Sequence, residues 1–173
     1  MNQTHSNTVL KVSKEHTDLD CDAMFTEDKT ISCAVLTADC IPILVTESSG
    51  RMIGCIHAGW RGLQSNIIGN FFSNFKSISK SNFRILLGPC ISAQNYEVSD
   101  EIFHQFSNYS QRFRKNKSGN YYMDLRYIAC DILNELGITN VTISKSCTYN
   151  DNFYSYRKDK TTGRFVSLIW FKK

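Results

Sequence analysis

Apolar residues form short unbroken runs over the first third of the chain and then recur at four-residue intervals. Val9–Val12 is short, Ala23–Phe25 is weakly extended, and Ile31–Leu36 and Ile41–Val45 are runs rich in β-formers. Such runs predict strands buried on both faces. Pro42 has no N–H to donate, so it fits the opening of a strand better than its centre. Ser48-Ser49-Gly50 marks a turn, and Met52–Ile56 reads as the returning strand of a hairpin. After His57 the period changes: Leu63, Ile67, Phe71 and Phe75 predict one helix from about Trp60 to Phe75. Phe83–Leu87 is a strand ending at Gly88-Pro89, and Ser99-Asp100-Glu101 opens a helix with acids in its first turn. The polar stretch Gln111–Asn120 predicts a loop. Asp124 is an N-cap candidate for a helix over Leu125–Leu136, closed by Gly137. Val141–Ser144 and Phe165–Phe171 are late strands. Strands and helices alternate irregularly, which predicts a mixed α/β domain.

No repeat or shift in composition divides the 173 residues, so one domain over residues 1–173 is expected. With 11 Phe, 8 Tyr and 2 Trp the chain can fill a sizeable core, which excludes disorder for the whole. A net charge of +4, spread along the chain, is no footprint for nucleic acid. No apolar stretch approaches the roughly 18 residues of a membrane span. The N-terminus lacks the basic start and apolar core of a signal peptide, so a cytoplasmic protein is expected. The seven cysteines include no C-x-x-C pair and are expected to be dispersed, mostly buried, and free of disulfides.

Three segments carry candidate chemistry: QTHSN with His5, TADC with Cys40, and HAGWRG with His57. Each places a potential metal ligand at the end of a strand, where a rigid support meets an exposed loop. Singly they have bland readings: a surface histidine, a buried thiol and a hydrogen-bonded core histidine. Together, two histidines and one thiolate make a three-ligand set for zinc, with the fourth position left for water as in catalytic sites. The spacing of 35 and then 17 residues matches no compact zinc finger, so spacing alone does not bring them together.

TADCIPILV followed by IGCIHAGWRG resembles the YfiH family, also called the laccase-domain or DUF152 proteins. NQTHSNTV, DCDAMFT, GPCISAQNYEV, Asp124-Leu125 and CTYNDNFYSYRKDKTTGR follow in family order and span nearly the whole chain. The resemblance implies a layered α/β/β/α sandwich with His5, Cys40 and His57 as zinc ligands. It also implies phosphorolysis of adenosine, inosine, guanosine and methylthioadenosine, with adenosine deamination in the same pocket. The expected partners are thus a purine nucleoside and phosphate, with no nucleic acid, no membrane, and a monomer favoured. The family's older description as a multicopper oxidase fits poorly, because only 4 histidines are present. Family members carry several dozen residues ahead of the Gln-x-His segment, whereas here Gln3 is the third residue, so part of the pocket wall is expected to be missing.

Further residues have competing readings. Arg61 and Gly62, at a helix start just after His57, suit phosphate, or else serve a tight turn with Arg61 paired to a carboxylate such as Asp39. Asp39 either orients a metal-bound histidine or moves protons as a general acid and base. Tyr154 and Arg157 lie in a segment whose aromatics either stack a purine or pack on the core. Cys90 and Cys147 lack a chemical partner in the sequence and read as structural, and His16 and His104 read as exposed. Two other functions stay open: a Cys–His hydrolase or amidase using Cys40 and His57, and a non-catalytic zinc-binding remnant.

Overall fold

A computed structural model describes residues 1–15 and 19–172. Its strands are β1 (Val9–Lys11), β2 (Ala23–Thr26), β3 (Cys33–Thr37), β4 (Ile41–Glu47), β5 (Ile53–Ala58), β6 (Phe83–Leu87), β7 (Glu97–Val98), β8 (Phe113–Lys115), β9 (Tyr121–Met123), β10 (Val141–Ile143) and β11 (Phe165–Ile169). The helices are α1 (Trp60–Gln64), α2 (Ile67–Ser73), α3 (Asp100–Gln105) and α4 (Leu125–Glu135). Six strands form a mixed sheet in the order β1-β2-β5-β4-β6-β10, antiparallel at its centre and parallel at both margins. β3 and β11 make an antiparallel ribbon, and β7, β9 and β8 a small third sheet.

The unbroken apolar runs follow from a packed layer on each face of the central sheet. Ala23, Phe25, Ile43, Val45 and Ile56 point into the larger core with α2 and α4. Their alternates Met24, Leu44, Ile53 and Cys55 face a second core, against Cys33 and Val35 of the ribbon. The period-2 alternation of a strand thus buries all six residues of β5. The larger core carries a chain of edge-to-face rings, with Phe25 on Phe75 at 4.7 Å, Phe71 on Phe72 at 5.2 Å and Phe72 on Phe83 at 5.0 Å. The ribbon's outer face is open to solvent, with Leu36, Val166, Leu168 and Trp170 between 48% and 63% exposed.

Two expected elements differ. The single helix over Trp60–Phe75 is two helices, because Asn66 adopts a left-handed conformation (φ 65°) between α1 and α2. Asparagine tolerates that region better than other side chains. The four-residue stripe survives the break, since Leu63, Ile67, Phe71 and Phe75 are all buried. The supposed loop at Gln111–Asn120 contains strand β8, which pairs with β9. Phe113 anchors it, with its ring 5.3 Å from Phe103, a single apolar residue that the surrounding charges concealed. Other readings hold. The Asp124 side chain accepts from Tyr127 N at 3.1 Å, and Gly137 closes α4 at φ 77°. His104 is exposed and 3.1 Å from Asp100; His16 lies outside the described residues. All seven cysteines are free, six of them buried and Cys40 half-buried. They are not all dispersed, since Cys90 and Cys147 face each other across a parallel β-bridge. Among the described residues no helix is long and apolar enough to cross a membrane.

Packing between β5 and α2 requires glycine at position 54. A Cβ there would lie 2.6 Å from the Phe71 ring and 2.8 Å from the Met24 carbonyl oxygen, and the carbonyl cannot give way. Gly54→Ala is expected to destabilise the fold by about 1–3 kcal/mol, the usual cost of overpacking. Urea denaturation would show this as a lower midpoint at unchanged slope.

Candidate metal centre and cavity

The β4–β5 hairpin sets two of the three donors side by side. Its register pairs Ile41 with Ala58 and Pro42 with His57, so Cys40 at the mouth of β4 lies beside the end of β5. The third donor comes from the N-terminal segment, which is pinned at several points. The Gln3 side-chain amide donates to Leu36 O at 2.7 Å and accepts from Leu36 N at 2.8 Å, much as a neighbouring strand would. Asn7 Nδ2 donates to Ser65 O at 2.7 Å, at the break between α1 and α2. His5 therefore does not fray away from the rest. The donor atoms of His5, Cys40 and His57 all lie within 4.8 Å of one another, the cluster of this kind found among the described residues. His5 Nε2 is 3.9 Å from Cys40 Sγ, and the two imidazole rings meet edge to face at 4.7 Å. Gly59 leaves room for them, since a Cβ there would come within 2.8 Å of Cys40 Sγ.

Asp22, which the sequence analysis did not single out, holds this cluster together. Its buried carboxylate accepts from the backbone N–H groups of Thr4 (3.1 Å), His5 (3.0 Å) and Ser6 (2.6 Å). It also accepts from the Thr4 and Ser6 hydroxyls and from His57 Nδ1 at 2.7 Å. The left-handed conformation of His5 (φ 61°) aims the three successive N–H groups at one acceptor. With Nδ1 committed to Asp22, His57 has Nε2 left as a donor for a metal. The orienting role considered for Asp39 thus falls to Asp22. Burial alone would raise the Asp22 pKa, but the bonds from His57, Ser6 and Thr4 outweigh it and hold it well below the usual carboxylate range. Burial, then the neighbouring His57, lowers the His5 pKa and favours the neutral, ligating imidazole. Burial and Asp39 push the Cys40 thiol up to about 12.

The cluster lines a cavity of about 790 Å³, a size typical of small-molecule sites. Trp60, Tyr96 and Tyr156 give it aromatic walls, and Arg61, Arg157, Lys160 and Arg164 make it cationic. Arg61 stacks over Trp60 at 4.4 Å and Lys160 over Tyr156 at 4.9 Å. Arg157 reaches Glu97 O at 2.9 Å and lies over Tyr96. Asp39 lines the same cavity and does not pair with Arg61. Its carboxylate accepts from Thr148 Oγ1 and from Arg157 N, both at 2.7 Å. Thr37, another lining residue, has a buried hydroxyl that finds no partner among the described residues.

Two expected substrate contacts fall outside the cavity. Gly62 is buried, and a Cβ on it would meet Ile67 at 3.3 Å and His57 O at 3.4 Å, so its part is close packing at the helix start. Tyr154 packs its ring against Gly163 and does not line the cavity; Tyr156, two residues on, does. The segment is an irregular run of turns and not a strand, so no simple period in the sequence tells which of the two tyrosines faces in. Asp22 was hidden similarly among the neighbouring acids Asp18 and Asp20.

Asp22→Asn keeps the shape but puts an NH₂ among donors. It is expected to cost about 1.5–3 kcal/mol, the range for hydrogen bonds to a charged group, and to weaken metal binding roughly 10–100-fold. A metal-buffered titration checks the second figure. Asp22 and His5 both have lowered pKa values, so the unfolded chain takes up more protons as pH falls. Their stabilisation is complete at neutral pH and is lost on acidification, through the histidine range and then below the carboxylate range. Urea midpoints across that range should fall less steeply in Asp22→Asn at the acid end.

Known proteins place this arrangement. The family model described as multi-copper polyphenol oxidoreductase laccase matches residues 1–172. A Haemophilus influenzae protein named purine nucleoside phosphorylase is 33% identical over 180 residues, covering 99% of this chain and 73% of its own. Purine nucleoside phosphorylase YfiH of Escherichia coli K12 is 34% identical over 177 residues, covering 98% and 72%. The crystal structure of the Neisseria meningitidis DUF152 protein NMB0706 superposes with a TM-score of 0.94 at 33% identity, over 100% of this chain and 74% of that one. The chain belongs to the YfiH family of laccase-domain, or DUF152, proteins.

Proposed function

We propose that the protein is a zinc-dependent purine nucleoside phosphorylase. Its proposed substrates are adenosine, inosine, guanosine and methylthioadenosine, and the same pocket deaminates adenosine. The observation that carries this reading is the His5–Cys40–His57 cluster on the wall of an aromatic, cationic cavity. The names of the relatives support the phosphorylase part. The donor set fits zinc: two imidazoles and one thiol are borderline and soft ligands, and three of them leave a position open. A multicopper centre fits less well, since the chain has 4 histidines in all.

Zinc held by these three residues would supply a Lewis acid able to acidify water and polarise an oxygen. In this reading the remaining work falls to the cavity's own side chains. Trp60, Tyr96 and Tyr156 offer faces for a purine ring. Arg61, whose guanidinium suits bidentate contact, holds phosphate for attack on C1′ of the sugar. Asp39, fixed by Thr148 and Arg157 N, is placed to move a proton to or from the purine in deamination. Residues 1–173 are proposed to act as one domain on small molecules. Rapid alkylation of Cys40 in metal-free protein would favour the Cys–His hydrolase instead.

The test is the metal content of purified protein, assayed alongside inosine plus phosphate and adenosine alone. Stoichiometric zinc with turnover of both supports the proposal; zinc-replete protein that turns over no nucleoside overturns it. Cys40→Ala is expected to abolish zinc binding and deamination. Arg61→Ala should raise the phosphate KM and largely spare deamination, because a loss of uniform binding appears in KM. Equal loss of both activities with zinc intact would remove Arg61 from the phosphate site.

A further inference from the structure

Behind the cavity, two cysteines that the proposed chemistry leaves unused form a second constellation. Cys90 follows β6 and Cys147 follows β10, and the parallel bridge between them joins the ends of these strands. Bridge partners on neighbouring strands sit about 5 Å apart, inside the Cα separation of roughly 4.4–6.8 Å that a disulfide spans. In a parallel bridge both side chains project to the same side of the sheet. The surroundings of the two sulfurs differ. Cys147 Sγ accepts from Ser92 N at 3.3 Å and from Asn95 Nδ2 at 3.4 Å, and its thiol lies 3.0 Å from Ser92 Oγ. Cys90 Sγ accepts from Arg126 Nε at 3.3 Å and is fully buried. Cys147 is 7% exposed and lies beneath half-buried Ser92 and Asn95, close to exposed Asn150.

We propose that Cys147 and Cys90 form a hydroperoxide-reactive thiol pair, with Cys147 the attacking sulfur and Cys90 the resolving one. The Cys147 thiolate attacks one oxygen of the peroxide and breaks the O–O bond. With one proton taken up, this yields a sulfenic acid at Cys147 and one water when the oxidant is hydrogen peroxide. The Cys90 thiol then attacks the Cys147 sulfur, forms the S–S bond and releases the second water. Two thiols are oxidised and the peroxide is reduced; a small thiol reverses the change by exchange. The ionisation states agree with these roles. Burial opposes ionisation of Cys147, but its hydrogen-bond donors outweigh burial and hold the thiol below its ordinary value. Burial pushes Cys90 up to about 11, with Arg126 only partly offsetting, so it stays protonated until it resolves. Cys33 and Cys55 also adjoin, but both are 0% exposed within the apolar second core.

The pair would act on the cavity through Asp39. Thr148, next to Cys147, donates to the Asp39 carboxylate at 2.7 Å, and Ile91 N, next to Cys90, donates to Asp39 O at 3.0 Å. A disulfide would bind together two of the three segments that hold that residue. The thiol chemistry is read directly and so stands apart from the nucleoside proposal.

The experiment exposes the purified wild-type protein to a slight excess of hydrogen peroxide and maps its cysteines by non-reducing peptide mass spectrometry. The expected product is a linked Cys90–Cys147 peptide that disappears on treatment with a small thiol. In Cys90→Ser, a sulfenic acid trappable by dimedone should accumulate at Cys147. In Cys147→Ser, Cys90 should stay reduced. Prior oxidation of another cysteine with this pair still reduced would overturn the proposal. So would overoxidation of Cys147 in the wild type with Cys90 still a thiol. Because the linked peptide is sought in the wild type, misfolding of either variant leaves the decision intact.

Discussion

A buried carboxylate is costly unless its oxygens are satisfied, and Asp22 makes that cost a source of order. Among the described residues no lysine or arginine pairs with it. It is satisfied by three successive backbone N–H groups, two hydroxyls and one imidazole, drawn from a segment 16 to 18 residues before it and from His57, 35 residues after it. The N-terminal segment has to bend around the acid, and the bend presents His5. The imidazole of His57 has to turn Nδ1 toward it, which leaves Nε2 facing the other donors. One anion thereby fixes the position of one potential ligand and the tautomer of another. Cys40 needs no such help, because hairpin register alone sets it beside them.

Much of this was legible in the sequence where the signal is local. Short apolar runs, the hairpin turn, the Asp124 cap and the glycine after α4 each depend on residues a few positions apart. The metal donors were legible through resemblance and through their place at strand ends. What escaped depends on long-range contact. Asp39 meets Thr148 and Arg157, residues more than a hundred positions away, and nothing in TADC announces them. Tyr156 rather than Tyr154 faces the cavity because of how one irregular segment lies on the fold. The helix break at Asn66 was hidden by an apolar stripe that continues across it, since packing depends on where side chains point and tolerates a local change in backbone. Cys90 and Cys147 read as inert in sequence because each one's partner is the other.

The left-handed backbone at His5 and Asp39 has a consequence for how this protein could change. Apart from Asn66, these are the non-glycine residues with positive φ among the described residues, at 61° and 91°, and both border the cavity. A side chain held in such a region costs of order 1–3 kcal/mol, maintained by the surrounding structure. Glycine at either position would relax the backbone while deleting a donor or an acid. At Asp39 the bonds from Thr148 and Arg157 offset that strain, whereas at His5 stability and the site are in opposition. Selection for stability alone would favour relaxing the backbone at His5, whose side chain serves the donor cluster and not the core.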